Sequence, residues 1–232
     1  MKKVGIIAAM QEEMNEIKNI MTELTENNIY ELQFFEGKIG NVECVLVQAG
    51  VGKVNASRCT QILIDNYDIE YVVNVGSAGS ANNSLNIGDI VIGKILVQHD
   101  FDITAFGHKK GYISNVGENI NSDDKLIKKF EKIINNNDKK EYNIKVGTIA
   151  SGDIFCTDIK MKEKIKYKFN ADAIEMEGAA IAHAATLNNI PFLIVRAISD
   201  KADNSATMDY GEFEKKAIIH SVNLIMEFVK NM

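Results

Sequence analysis

The chain has 232 residues, 46% of them hydrophobic and 25% charged. That length and balance suit one sizeable domain with a full core and exclude a disordered chain. A formal net charge of -6, with no basic stripe, excludes a nucleic-acid partner, whose binding needs a cationic face to displace counterions.

No run approaches the ~20 apolar residues of a membrane span, so no membrane partner is expected. The three cysteines, Cys44, Cys59 and Cys156, are odd in number and far apart, as reduced thiols in a cytoplasmic protein would be. The single proline is Pro191, and no Pro/Gly/Ser-rich linker divides the chain. Residues 1–232 therefore read as a single domain.

The first apolar run, Val4 to Ala9, is a buried strand. It is too short for a secretory leader and runs straight into Gln11-Glu12-Glu13. From Gln11 to Leu24 the spacing of Met14, Ile17, Ile20, Met21 and Leu24 predicts one helix with a single apolar stripe. Glu12 and Glu13 fall in its first turn, where acids are favoured by the helix dipole. Glu13 is open to that role and to a functional one.

Tyr30 to Phe35 and Val42 to Val47 are predicted strands of a meander. Gln48-Ala49-Gly50-Val51-Gly52-Lys53 follows, a glycine turn feeding a helix from Val54 to Asp65. It is not a phosphate loop: Val47 stands where a first glycine is needed, and Val54 where Ser or Thr is needed. The turn is open to close approach of a ligand or to being a turn alone. Tyr71 to Val75 is a strand that ends in Gly76-Ser77-Ala78-Gly79-Ser80, either a tight turn or a ligand-facing strand end.

Asp89 to Gln98 is a further strand. The loop after it sets His99 beside Asp100 and Asp102, but it has neither the helical spacing nor the cysteine pairs of a metal site, and no metal is expected. Asp123 to Asn135 is an amphipathic helix capped by Ser122 or Asp123. A polar connection, Asn135 to Lys140, leads to a strand at Ile144 to Ala150. Ser151-Gly152-Asp153-Ile154-Phe155-Cys156 is its strand-end loop, and Thr157 to Phe169 a lysine-rich helix with a solvated face. Asp172 to Asn204 then carries a short strand into Glu175-Met176-Glu177, a helix, and an apolar strand ending in Arg196, Ser199 and Asp200. A long helix from 208 to 230 turns Phe213, Ala217, Ile218, Val222, Ile225 and Val229 inward. Alternating strands and helices predict a three-layer α/β/α domain around a central mixed, largely parallel sheet.

Charged groups at the ends of buried strands are costly without a partner or a job. If the strands run parallel, these ends share one sheet edge. A pocket there would hold the carboxylates of Glu13, Glu177 and Asp200, the ring of Phe155, and Met10 and Met176. Paired carboxylates beside an aromatic wall suit cleavage of a glycosidic bond: one acid protonates the leaving group, another activates water.

At these residues the chain resembles the 5'-methylthioadenosine/S-adenosylhomocysteine nucleosidases of the nucleoside phosphorylase superfamily. The likeness runs nearly end to end. Five segments carry it: Gly5 to Glu13, Asn74 to Gly79, Ser151 to Phe155, Glu175-Met176-Glu177, and Val195 to Asp200. It implies a nucleoside phosphorylase-like fold and hydrolysis of 5'-methylthioadenosine, S-adenosylhomocysteine and 5'-deoxyadenosine to adenine and the 5-substituted ribose. Such an enzyme serves methionine salvage and the removal of a methylation by-product, without a cofactor.

The resemblance also implies roles. Asp200 matches the general acid that protonates adenine N7, and Ser199 the group that orients it. Glu13 matches the base that activates water. Glu177 matches the ribose-binding carboxylate, with Met176 against the sugar. Phe155 matches the ring stacked on adenine, and the backbone of Cys156 the reader of its edge. Gly79 matches a pocket-lining glycine, Ser77 and Arg196 match polar groups near water and ribose, and Met10 and Val51 complete the substrate-binding set. Phe106 matches a residue that covers the 5'-substituent of the partner's site across a homodimer. His108 and Cys156 depart from the family pattern, which bears on preference for the 5'-substituent. Asp200 either takes its proton with the base bound or sits in a pocket that raises its pKa.

A nucleoside phosphorylase would need cationic groups for phosphate, and the chain has only two arginines, Arg58 and Arg196. A purine-binding sensor would not need Glu13 and Asp200 together.

Overall fold

Strand β1 (Lys3–Ala8) shows how the layers arise. Successive side chains of a strand point to opposite faces. Val4, Ile6 and Ala8 enter one core with Met14 and Ile17 of helix α1 (Gln11–Ile20) and Ile225, Phe228 and Val229 of helix α6 (Ala206–Lys230). Ile7 enters a second core with Ala56, Cys59 and Leu63 of α2 (Lys53–Asn66) and Ala179, Ile181 and Ala182 of α5 (Gly178–Leu187). Each such buried aliphatic or aromatic side chain contributes roughly 1.5–3 kcal/mol, so the sheet is held from both sides. This computed structural model describes residues 2–135, 142–204 and 206–231. Most of the predicted Asn135 to Lys140 connection, residues 136–140, lies outside them.

The sheet is mixed, as expected, with ten strands among the described residues. β1 pairs in parallel with β4 (Val42–Gln48) and with β5 (Ile69–Ser80), and β5 in parallel with β10 (Phe192–Asp200). The carboxyl ends of these four strands therefore share one edge. Met10 to Glu13, Gly50 to Lys53, Gly76 to Gly79 and Arg196 to Asp200 meet there.

Ser151 to Cys156 and Glu175 to Glu177 arrive by a different route. β6 (Ile90–Gln98) is antiparallel to β10, β8 (Ile144–Ser151) is parallel to β6, and the short β9 (Ala173–Glu175) is parallel to β8 but antiparallel to β5. These pairings close five strands into a ring. β9 runs back along the end of β5, with Gly79 opposite Ile174, and brings Glu175 to the shared edge from the opposite direction.

Several predicted boundaries change. The first helix stops at Ile20, not Leu24. Thr22–Ile29 is instead β2, an edge strand paired with β3 (Leu32–Ile39). Its residues are polar and nearly all exposed, so no apolar alternation marked it, and Leu24 is an exposed member of it. Polar, charged edges of this kind suppress edge-to-edge pairing. Gly76 to Ser80 is the last part of β5, not a turn.

Helix α3 (Asp124–Asn135) is capped by Asp123, which accepts from the Lys125 and Leu126 N–H groups, while Ser122 donates to the Gly93 carbonyl. That hydroxyl sits where β7 (Ile120–Asn121), unforeseen for its brevity, pairs with β6. Helix α4 (Ile159–Phe169) begins after Asp158, which caps it. Its face is not wholly solvated, since Lys162 is buried and donates to the Lys201 carbonyl at 2.6 Å.

Candidate active site

A cavity of about 440 Å³ opens at the shared edge, within the size range of small-molecule sites. It is lined by Met10, Glu13, Val51, Ser77, Gly79, Phe155, Met176, Glu177, Arg196, Ser199 and Asp200 from the expected set. Cys156 lines a small hollow that adjoins it, together with Phe155, Asp200 and Ala202. Phe106 does not reach the cavity of its own chain. It sits on a single 3-10 turn, Thr104–Phe106, 81% exposed.

Glu13 is in the first turn of α1 yet is only 2% exposed. Its Oε2 accepts from the Ala9 N–H (2.8 Å) and the Met10 N–H (3.1 Å), and its Oε1 from the Ser77 N–H (3.3 Å). It therefore caps its helix and faces the cavity at once. Burial raises its pKa, opposed by the Arg196 charge and the three N–H donors. A buried carboxyl held by backbone donors and facing the cavity is within reach of a water bound there, from which its ionised form can take a proton.

Asp200 ends β10. Its Oδ2 accepts from the Ser199 hydroxyl at 2.9 Å and its Oδ1 from the Ala202 N–H at 2.7 Å. Gly79 is required beside it: a Cβ there would lie 2.8 Å from both Asp200 Oδ1 and the Ala202 Cβ.

Glu177 precedes α5, and its Oε1 accepts from the Gly52 N–H at 2.8 Å. Burial pushes its carboxyl up to about 7, with the Glu175 charge adding to the effect and Arg196 opposing it. Met176 and the half-exposed Phe155 give the cavity apolar lining beside this carboxyl and Asp200.

Glu175 had no assigned partner in the sequence, and the structure supplies one. Its Oε2 accepts from Arg196 Nε (3.0 Å) and Nη2 (2.5 Å) and from the Gly178 N–H (2.7 Å), and its Oε1 from the Ser151 hydroxyl. Arg196 also donates to Asn74 and to the Val195 carbonyl. Four of its five N–H groups are thus engaged, and it is only 1% exposed. A buried pair of this kind is maintained because loss of one partner would strand a charge, at about 3–5 kcal/mol. No sequence spacing signalled the pair, because it forms only once the short β9 closes the ring of strands between β8 and β5. Ala9, Gly76, Ala78 and Ile174 also line the cavity without having been foreseen, since small apolar residues carry no chemical signature.

His99 is buried and Asp100 pairs with Lys53 at 2.6 Å. Among the described residues no group of three His, Cys, Asp or Glu side chains is placed to hold a metal ion. The three cysteines are free and buried. No helix among the described residues is long and apolar enough to cross a membrane.

The arrangement is thus four buried carboxyl groups, Glu13, Glu175, Glu177 and Asp200, around an apolar-walled cavity, with Glu175 paired to the lining cation Arg196. Residues 3–230 match the model of the phosphorylase superfamily. The chain is 39% identical over 228 residues to a 5'-methylthioadenosine/S-adenosylhomocysteine nucleosidase of Staphylococcus haemolyticus, covering 98% of this chain and 99% of that one. Its structure is similar to that of the Neisseria meningitidis 5'-methylthioadenosine/S-adenosylhomocysteine nucleosidase in complex with methylthio-immucillin-A, with a TM-score of 0.96, 33% identity and full coverage of both chains. It is also similar to a futalosine hydrolase of Helicobacter pylori, with a TM-score of 0.95, 31% identity, and coverage of 100% and 98%.

Proposed function

The chain belongs to the 5'-methylthioadenosine/S-adenosylhomocysteine nucleosidase family of the phosphorylase superfamily, and from that premise we propose that it hydrolyses the N-glycosidic bond of 5'-methylthioadenosine and S-adenosylhomocysteine. 5'-Deoxyadenosine is a further substrate. The products are adenine and the 5-substituted ribose, which places the enzyme in methionine salvage and in clearance of a methylation by-product, in the cytoplasm.

The observation that carries this reading is the convergence of Glu13, Glu177 and Asp200 on one cavity whose one lining cation, Arg196, is consumed by Glu175. A phosphate nucleophile would meet these carboxylates and a single cation already paired with Glu175. Water meets a base.

In this reading Phe155 stacks on adenine, and the backbone at Cys156 reads its edge. Asp200, oriented by Ser199, delivers a proton to N7, so adenine leaves neutral rather than as an anion. As the bond from C1' to adenine breaks, its electron pair goes to the base and the ribose becomes oxocarbenium-like. Nearby carboxylates stabilise that charge. Glu177 accepts from the ribose hydroxyls, and Met176, Met10 and Val51 pack around the sugar and its 5'-substituent. Glu13 takes a proton from the attacking water as the new C1'–O bond forms, with Ser77 and Arg196 beside it. One proton leaves Asp200 and one arrives at Glu13, so the balance closes without a cofactor. The active form is a homodimer in which Phe106 covers the partner's cavity.

The test is adenine release from 5'-methylthioadenosine, S-adenosylhomocysteine and 5'-deoxyadenosine, measured with and without phosphate. The expected result is release at equal rates in both. Strict dependence on phosphate, or activity confined to inosine, would overturn the reading.

A further inference from the structure

Helix α2 has no side-chain cap of its own: Gly52 is its N-cap residue and contributes none. The first N–H groups of a helix must find partners elsewhere, and here two distant carboxylates supply them. The Gly52 N–H donates to Glu177 Oε1 at 2.8 Å, inside the cavity, and the next N–H, of Lys53, donates to Asp153 Oδ1 at 2.7 Å. Asp153 does not line the cavity. It is exposed, on the far side of the loop that carries Phe155 two residues later.

The contact is reinforced. The Asp153 N–H donates to Asp100 Oδ2 at 3.0 Å, and Asp100 Oδ1 accepts from Lys53 Nζ at 2.6 Å. Lys53 Nζ also reaches Gln98 Oε1 at 3.2 Å. Lys53 is thereby bound through its backbone to the loop after β8 and through its side chain to the end of β6 and the loop after it. Gly52 has φ of +95°, and a Cβ there would lie 3.1 Å from Asp153 Oδ1. The glycine lets the turn close on that carboxylate.

We propose that Asp153 is a positioning residue that, with Asp100 and Lys53, clamps the Phe155 loop to the Gly52 turn and so fixes the distance between the base-stacking ring and the ribose-binding carboxylate. This rests on the assignment of Phe155 to adenine and Glu177 to ribose. The clamp touches neither the substrate nor the reacting atoms. It pre-organises both binding walls, so its loss weakens ground state and transition state alike, which raises KM and leaves kcat.

The experiment compares Asp153→Ala and Asp153→Asn with the parent enzyme, by steady-state release of adenine from 5'-methylthioadenosine and by hydrogen exchange of the Lys53 amide without substrate. A hydrogen bond to a charged group is worth enough that its loss is expected to raise KM about tenfold in Asp153→Ala, with kcat within about threefold. The amide is expected to exchange faster by a similar factor. Asn keeps an acceptor oxygen at the same position and restores both. Asp100→Asn, which removes the charge facing Lys53 Nζ and one of the two acceptor oxygens shared with the Asp153 N–H, leaves the Lys53 N–H bond to Asp153 in place and raises KM in the same direction by less. A KM for Asp153→Ala within about twofold of the parent overturns the clamp, as does an Asn variant as impaired as Ala. If the parent releases no adenine, the proposed activity fails on its own account. The Lys53 amide then still decides: unchanged exchange in Asp153→Ala rejects the clamp.

Discussion

Glu177 makes the stability of the protein depend on pH. Its carboxyl stands at about 7 in the folded protein because burial and the Glu175 charge disfavour the ionised form. In the unfolded chain it returns to an ordinary value near 4.3. A carboxyl raised on folding stabilises the protein while both states are protonated, and that contribution is lost as pH rises through the folded value. The window is therefore about pH 4.5 to 7.

Glutamine mimics the neutral acid, and its Oε1 still accepts from the Gly52 N–H. We expect Glu177→Gln to change the pH dependence of stability. The difference in unfolding midpoint between pH 5 and pH 8 should shift by about 2–4 °C or more, the equivalent of about 1 kcal/mol in a domain of this size, with the variant gaining relative to the parent at the higher pH. Thermal unfolding at the two pH values checks this. Parallel curves for parent and variant would mean that Glu177 titrates normally. In the proposed binding mode, substrate would reverse the preference, since ribose hydroxyls donating to Glu177 favour its charged form. Binding and ionisation of this residue are thus linked.

At the scale of elements, the end of β5 decides whether the carboxylates are correctly spaced. Gly76 lies between Glu13 and Arg196: a Cβ there would stand 3.1 Å from Glu13 Oε1 and 3.5 Å from Arg196 Cζ. Gly79 is tighter still. Gly79→Ala must push Asp200 or the Ala202 backbone aside. Displacing a catalytic group by about 1 Å is expected to cost on the order of 10²-fold in kcat/KM, with little loss of folded protein, and adenine-release kinetics beside an unfolding curve would show it. An unchanged kcat/KM would mean that Asp200 has slack.

This strand also shows why part of the site was legible in the sequence and part was not. β1, α2 and β10 announced themselves through apolar runs and periodicity, because burial on one or two faces leaves that pattern. The carboxylates Glu13, Glu177 and Asp200 stood out because charge at a buried strand end needs a reason. Gly76 to Ser80 resembled a turn because small residues have weak strand preference. Gly76 and Gly79 are there because neighbouring groups leave little or no room for a Cβ. β2 was hidden by its polarity, and Leu24 was drawn into the preceding helical pattern. The pairing of Glu175 with Arg196 depended on a three-residue strand closing the sheet into a ring, a long-range event with no local signature.

For the molecule as a whole, some of the exposed apolar residues fall on the cavity mouth and on the segments tied to it. Val51 and Phe155 line the mouth and are about half exposed, Val54 follows Val51 at 78%, and Phe106 stands at 81% on the turn beyond Asp100. Asp100 is tied by Lys53 to the same glycine turn. Such a cluster beside a site marks a surface that another body covers. A second copy of this chain fits it: two-fold symmetry presents the same patch from each side, and Phe106, which cannot reach its own cavity, would close the other. The particle should therefore have twice the 25.8 kDa mass of one chain by sedimentation. Truncating an aromatic anchor at such a contact costs about 2 kcal/mol or more. Phe106→Ala is then expected to raise KM for 5'-methylthioadenosine by about tenfold or more, while the dimer persists at high concentration on its remaining contacts. Phe106→Asp places a charge against the partner's apolar mouth and should drive dissociation, with activity falling in step with the dimer fraction on dilution. A monomer of full activity, or a Phe106→Asp dimer that keeps the parent KM, would remove the partner from the site and leave the cavity complete within one chain.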